Sequence, residues 1–179
     1  MSAENDNKLA NNGNENFFSG IVRLGTPEGP VVVKLVEAQV FAGMGIMVRS
    51  RVLPEGSRLF EANSRLEGFI NDLPQAVNPN SKERKGYLKE RATDILQYGT
   101  ESLLSIFPAY TDRDISFLVR IYKSLKRGGI NTKTDLLKAS GEKLASLRNT
   151  GDKAIYLMGI MREIALGERE MKLQENNQD

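Results

Sequence analysis

The N-terminal third of the chain alternates short runs of strand-forming residues with turn signals. The first run, residues 17–24, is followed by a stretch with two prolines and two glycines, a composition that favours a turn. Two further runs, 31–41 and 46–53, alternate apolar with polar positions and are separated by Gly43-Met44-Gly45. The pattern predicts a three-stranded antiparallel sheet over residues 17–53.

The segment 55–73 is predicted to be a helix that covers this sheet, since three strands need a cover to be stable. Its apolar positions recur at roughly helical spacing, and Asn63-Ser64 in the middle can break it into two pieces. Residues 74–81 are the candidate linker because they hold two prolines and two asparagines. An alternative stays open, in which residues 17–77 form a dimerisation module through edge-to-edge strand pairing.

After the linker, residues 82–107 are predicted to form a long helix with a break near Gly99. Its first part is basic, but acidic residues are interleaved with the basic ones. Such a mixture is more typical of a solvated helix face than of a nucleic-acid surface.

The last third of the chain has the pattern of a small helical domain. Thr111 and Asp114 give a start like a capping box, and Gly128-Gly129 ends this helix. The inward stripe of the helix consists of apolar side chains: Ile115, Leu118, Val119, Tyr122 and Leu125. Its outward face is basic, with Arg120, Lys123 and Arg127.

Three more helices are predicted before Gly167. Asn131 or Thr132 can cap the first, and Ser140 can cap the second. The last is expected from Asp152 to about Leu166. Its predicted core positions are Ile155, Leu157 or Met158, Met161 and Ile164.

These elements predict an α+β fold class: a small N-terminal antiparallel sheet with helices, and a C-terminal all-α helix-hairpin-helix domain. The expected domains are a disordered tail (1–16), a small α+β module (17–77), a linker and helix (78–110), the helical domain (111–167) and a polar tail (168–179).

Composition argues against an enzyme. The sequence has no cysteine and no histidine, which removes the usual zinc ligands and the Ser-His-Asp triad. No paired-carboxylate, phosphate-loop or dinucleotide motif is present. We therefore expect no catalytic residue, no metal and no cofactor.

Positive charge is concentrated in the predicted helical domain. Residues 111–167 hold eleven Lys and Arg against six Asp and Glu, a net charge of +5, whereas the net charge of the whole protein is +2. This excess suits a polyanionic partner, although a solvated helical surface gives the same count about as often.

The turn before the last helix is the position where a polyanion can bind. A glycine at the start of the second helix of a hairpin lets a phosphate approach the backbone, where unpaired N–H groups and the helix dipole favour an anion. Gly151 occupies this position, and Arg148 and Lys153 add charge around it. The alternative is that Gly151 is only a steric requirement of a tight turn, and the octapeptide 147–154 favours neither.

The segment 114–167 is similar to the C-terminal domain of the bacterial RNA polymerase α subunit. The residues that carry the resemblance are Val119-Arg120, Ser124-Leu125-Lys126, Ile130, Asp135-Leu136, Leu144, Leu147, Asn149, Gly151-Asp152-Lys153 and Leu166-Gly167. They span less than a third of the chain, and residues 1–100 do not resemble the assembly domain of an α subunit.

The resemblance implies DNA-binding roles for five residues, and two neighbours complete the predicted set. Arg120 would enter the minor groove of A/T-rich DNA with Lys123 and Ser124 beside it, and Gly151 and Lys153 would bind the backbone. The same surface includes Arg148 and Asn149 of the hairpin turn. Two positions depart from the family: Lys123 replaces an asparagine and Ala154 replaces a serine, which keeps or raises charge but removes hydrogen-bond geometry.

Two functional hypotheses follow. The first is a bacterial or mobile-element DNA-binding protein that acts in transcription regulation or DNA maintenance, with weak preference for A/T-rich DNA and an N-terminal unit for a partner or self-association. The second is an adaptor that binds a protein such as RNA polymerase without contacting DNA. No apolar run is long enough to span a membrane and the N-terminus lacks an export signal, so we expect a cytoplasmic protein.

Overall fold

The computed structural model describes the protein with several gaps, and for residues 15–53 it describes the course of the backbone only. The described ranges are 15–26, 29–41, 45–53, 56–78, 81–109, 111–148 and 150–177. Most of the predicted disordered tail, residues 1–14, therefore lies outside them. Between residues 15 and 53 the backbone runs in three extended segments, Glu15–Thr26 (β1), Gly29–Phe41 (β2) and Gly45–Leu53 (β3), paired antiparallel in this order.

The rest of the described chain is helical. The helices are Arg58–Asn71 (α1), Lys82–Tyr98 (α2), Ser116–Arg127 (α3), Lys133–Lys138 (α4), Gly141–Ser146 (α5) and Asp152–Asn176 (α6), with two short 3₁₀ helices at Gly99–Glu101 and Leu104–Ile106.

Helix α1 is one continuous helix. Ser57 caps it, since its hydroxyl oxygen accepts a hydrogen bond from the N–H of Phe60 at 3.2 Å. Asn63 and Ser64 do not break it. Each side chain instead donates to the backbone carbonyl four residues earlier, at 2.8 and 3.0 Å.

The predicted α+β fold class is wrong for the body of the molecule, which is all-α. The described residues between 56 and 177 form helices and two isolated β-bridges but no strand. An N-terminal sheet is not shown as part of this helical region. Helix α1, which was expected to cover a sheet, packs along α6 instead. The apolar side chains of α1 enter the same core as those of α3 and α6. The pattern in the sequence correctly marked an amphipathic helix but could not tell which surface it covers.

The packing of α1 on α6 depends on a glycine. A Cβ added at Gly167 would lie 2.8 Å from the Cβ and 2.9 Å from the Cα of Leu59. Any larger residue at this position would therefore push the two helices apart.

Helix α2 differs from its prediction in length and in which side chains it buries. It ends at Tyr98, and Gly99 has a φ of 56°, which confirms the predicted break near Gly99. Two short 3₁₀ helices follow, so the predicted helical continuation to residue 107 is wrong. Arg84 and Arg91 are buried, and each donates to a carbonyl in the loop before α3: Arg84 to Arg113 at 2.9 Å and Arg91 to Phe107 at 3.3 Å. Part of the basic face thus belongs to the interior.

The C-terminal helices begin where capping residues place them. Thr132 and Asp135 form a capping box at α4, and Ser140 caps α5. Helix α3 begins at Ser116, later than the predicted capping box at Thr111 and Asp114. The carboxylate of Asp114 instead accepts hydrogen bonds from the N–H and the hydroxyl of Ser116, at 2.9 and 2.7 Å.

Helix α6 extends beyond its predicted end near residue 166 and continues to Asn176. Part of the predicted polar tail is therefore helical. Leu157, Met158, Met161 and Ile164 are buried as expected, whereas Ile155 is 42 % exposed, which contradicts its assignment to the core. The predicted domain boundaries stay predictions.

Candidate nucleic-acid interface

The outward face of α3 presents the basic side chains that the sequence indicated. Arg120, Lys123 and Arg127 are exposed, and they lie three and four residues apart, so they share one face of the helix. The guanidinium of Arg120 lies over the ring of Phe117, 5.2 Å from its centroid. The face is therefore cationic from Arg120 to Arg127.

The start of α6 is open. Gly151 is the N-cap residue, with φ −96° and ψ −177°. The N–H groups of the first turn donate no hydrogen bond to a capping side chain. This backbone conformation is accessible to any residue, and among the described residues a Cβ at Gly151 would meet no atom within 4 Å. The turn itself therefore does not require a glycine, which argues against the purely steric explanation of Gly151.

Arg120 and Lys153 both contact an aromatic cluster made of Phe69, Phe117 and Tyr156. The ring centroids are 5.8 Å apart between Phe69 and Phe117, and 6.2 Å apart between Phe69 and Tyr156. The ammonium of Lys153 lies 5.0 Å from the Phe117 centroid and 5.6 Å from that of Phe69. Cations at these distances are attracted to the faces of the rings. The cluster thus brings together one cation from α3 and one from α6.

A shallow groove between α2 and α3 extends the basic face. It has a volume of about 440 Å³ and is lined by Glu90, Tyr122, Lys123, Lys126 and Arg127. Lys126 is turned toward the protein, with its ammonium 3.6 Å from a carboxylate oxygen of Asp94. Glu90 places a negative charge beside the exposed cations of α3.

Ser124 lies beneath this surface. It is 3 % exposed, and its hydroxyl donates to the carbonyl of Arg148 at 2.7 Å. The bond joins α3 to the turn before α6, where the side chain of Arg148 is exposed. Asn149, the remaining predicted DNA-binding residue, lies outside the described residues.

The aromatic members of the site were not among the predicted residues. Phe69 comes from α1, which the sequence assigned to another unit, and Tyr156 is 56 % exposed on α6. Phe117 precedes Arg120 by three residues, and this helical spacing was the only signal that could have pointed to their contact.

Two other kinds of feature are absent from the described part of the molecule. There, no group of three or more acidic side chains is arranged to hold a metal ion. No helix in the same part is both long and apolar enough to cross a membrane.

Comparison with known proteins identifies one region. Residues 113–156 match the family of C-terminal domains of the bacterial RNA polymerase alpha subunit. This confirms a C-terminal domain of the RNA polymerase α type, limited to that region. No curated protein and no solved structure matches the sequence significantly.

Proposed function

We propose that this chain is a DNA-binding protein, not an enzyme, which acts in transcription regulation or DNA maintenance. Its contacts to the DNA backbone and minor groove would come from α3 and the start of α6. The matched domain is a DNA-binding domain associated with transcription, which supports the general part of this proposal. A weak preference for A/T-rich DNA is the more specific part.

The open start of α6 is the observation that carries the proposal. Backbone N–H groups in the first turn of a helix bind anions, and the helix dipole adds to the attraction. Gly151 leaves these groups accessible, although neither its φ angle nor its neighbours demand a glycine. A phosphate that must approach the backbone closely supplies a reason for the glycine.

Two cations near this turn support the same conclusion, although Asp152 adds a negative charge in the first turn of α6. Arg120 of α3 and Lys153 of the first turn of α6 both lie near the ring of Phe117, so cations from two helices are available in this region. A narrow A/T-rich minor groove attracts arginine through its enhanced negative potential, and we propose the exposed Arg120 for this role.

Sequence specificity should be low. The residue after Lys153 is Ala154, which is 2 % exposed and has no hydroxyl to donate to a phosphate. Lys123 contributes charge without the paired donor and acceptor of an asparagine amide. Contacts of this kind position a protein on DNA but do not read its sequence.

Replacement of Gly151 by serine tests the proposal. The extended backbone at Gly151 suits a serine N-cap, whose hydroxyl would occupy the N–H groups of the first turn. We expect Gly151→Ser to leave thermal stability unchanged or slightly raised and to weaken binding to a short labelled A/T-rich duplex about tenfold. Fluorescence anisotropy over a salt series gives the affinities. For the unaltered protein, log K should fall linearly with log salt concentration.

Gly141→Ser is the matched control. Gly141 opens α5, is exposed, and has no atom within 4 Å of an added Cβ, so the variant should bind like the unaltered protein. Equal binding by Gly151→Ser and Gly141→Ser would remove the α6 start from the interface. No binding of the unaltered protein at low salt would reject the DNA-binding function.

A second function, docking on a protein such as RNA polymerase, is favoured by one observation. Ile155 and Tyr156 are 42 % and 56 % exposed on adjacent positions of α6, and exposed aromatic side chains are enriched in protein interfaces. Capture of RNA polymerase by the full chain without duplex binding would favour this function. Self-association through residues 17–77 also stays a prediction, which sizing of the full chain tests.

A further inference from the structure

The two cations of the proposed interface are held by aromatic rings before any ligand binds. Arg120 lies 5.2 Å and Lys153 5.0 Å from the centroid of Phe117. Lys153 also lies 5.6 Å from the centroid of Phe69. One half-buried ring therefore lies within cation–π distance of two long, exposed side chains from different helices.

Such ordering matters for binding a polyanion. Free arginine and lysine side chains sample many rotamers, and a ligand that fixes them has to offset the lost entropy. Two cations near one ring also repel each other, and the negative faces of aromatic rings offset part of this repulsion. Side chains that are already oriented lose less entropy when a phosphate binds.

Part of this arrangement comes from outside the matched region. Phe69 belongs to α1, whereas the family match begins at residue 113. Phe69 is 8 % exposed, and its ring contacts Phe117 at a centroid distance of 5.8 Å. Helix α1 thus supplies a ring that supports both Phe117 and Lys153.

We infer that Phe117, supported by Phe69 of α1, is a positioning residue of the nucleic-acid interface that holds Arg120 and Lys153 ready for the DNA backbone and groove. This inference rests on the proposed function. It assigns to α1 a part in DNA binding through the cluster.

Removal of the ring without loss of charge tests the inference. Phe117→Leu in the full chain keeps an apolar side chain of similar size but removes the ring, and we expect binding to a short A/T-rich duplex to weaken roughly three- to tenfold. The slope of log K against log salt should stay unchanged because no cation is lost. Phe117→Tyr retains the ring and should restore the affinity. Arg120→Gln, which removes a charge, should weaken binding and reduce the slope by about one.

Two further measurements separate positioning from a folding defect. In the unaltered protein, the ring currents of Phe117 and Phe69 should shift the side-chain methylene signals of Lys153 upfield, and this shift should be reduced in Phe117→Leu and retained in Phe117→Tyr. Phe60→Leu, in α1 but outside the cluster, is the control and should not change the affinity.

The outcomes distinguish this inference from the proposed function. If Arg120→Gln weakens binding but Phe117→Leu binds the duplex as tightly as Phe117→Tyr and the unaltered protein, the positioning role is wrong and the proposed function stands. If the unaltered protein does not bind the duplex, or Arg120→Gln binds as well as it does, the proposed interface itself is wrong. If Phe117→Leu unfolds, loss of affinity in Phe69→Leu with a retained salt slope would still support the inference, and unchanged affinity would overturn it.

Discussion

At the scale of single residues, Ser124 illustrates how burial changes the interpretation of a site. Its hydroxyl donates to the carbonyl of Arg148 at 2.7 Å, and the residue is 3 % exposed. A buried hydrogen bond of this kind stabilises the contact between α3 and the turn before α6. Ser124 therefore supports the interface from beneath.

Ser124→Ala should lower the free energy of unfolding by about 1–2 kcal/mol, because the carbonyl of Arg148 loses a buried donor. Chemical denaturation measures this change. Ser146→Ala is the matched control: Ser146 donates to the carbonyl of Lys143 at 2.7 Å but is exposed, so its replacement should change the stability by less than about 0.5 kcal/mol. If Ser124→Ala weakened duplex binding as strongly as Gly151→Ser without loss of stability, Ser124 would contact DNA directly.

The sequence was informative about residues whose role is local. The exposure of Arg120 and Lys123 follows from their positions opposite an apolar stripe of α3, and this spacing is readable from the sequence. The contacts of Lys153 with Phe69 and Phe117 join three helices. Nothing in the local pattern predicts which helices meet, so this part of the site needed the structure.

At the scale of elements, helix starts followed the sequence where a capping side group determines them. Thr132 and Ser140 cap α4 and α5 as predicted. The start of α3 was placed too early because Asp114 bonds to Ser116 instead of forming a capping box with Thr111. The partner of α1 was missed, since an amphipathic face specifies burial but not the surface that provides it.

Two glycines of α6 should respond oppositely to alanine. At Gly167 a Cβ would lie 2.9 Å from the backbone Cα of Leu59, so Gly167→Ala forces α1 and α6 apart and should lower the free energy of unfolding by about 1–3 kcal/mol. At Gly159 a Cβ would meet no atom within 4 Å. Gly159→Ala should therefore raise stability by about 0.5–1 kcal/mol through helix propensity.

Thermal and urea unfolding of both variants measure this difference. Equal stabilisation by the two alanines would show that α1 does not pack closely on α6. Because Phe69 belongs to α1, displacement of this helix in Gly167→Ala should also weaken duplex binding, whereas Gly159→Ala should not.

At the scale of the whole molecule, polar side chains of α2 connect segments that are distant in sequence. Asp94 accepts hydrogen bonds from the hydroxyls of Ser102 and Tyr122 at 2.5 and 2.9 Å. Tyr87 donates to the carbonyl of Pro108 at 3.0 Å. The mixed charges of α2 predicted a solvated helix. The buried polar side chains of α2 could not be recognised from the sequence, because their hydrogen-bond partners lie far along the chain.

These buried tyrosines predict a loss of stability in alkali. Burial raises the pKa of Tyr87 to about 12, and burial together with the hydrogen bond to Asp94 raises the pKa of Tyr122. In the unfolded protein a tyrosine has a pKa of about 10. The folded state therefore retains protons that the unfolded state releases, so this contribution is fully present below about pH 10 and is lost as the pH rises toward the folded pKa of about 12.

Tyr87→Phe isolates one of these contributions. Between pH 9 and pH 11 the unaltered protein should lose about 1 kcal/mol more stability than the variant, since only the unaltered protein gains a tyrosinate at position 87 on unfolding. Urea unfolding at both pH values gives the difference. The same comparison at pH 7 measures the separate cost of losing the hydrogen bond to Pro108. Parallel loss of stability in the two proteins would mean that Tyr87 ionises as readily in the folded as in the unfolded state, and that the contact between α2 and the loop before α3 does not exclude water.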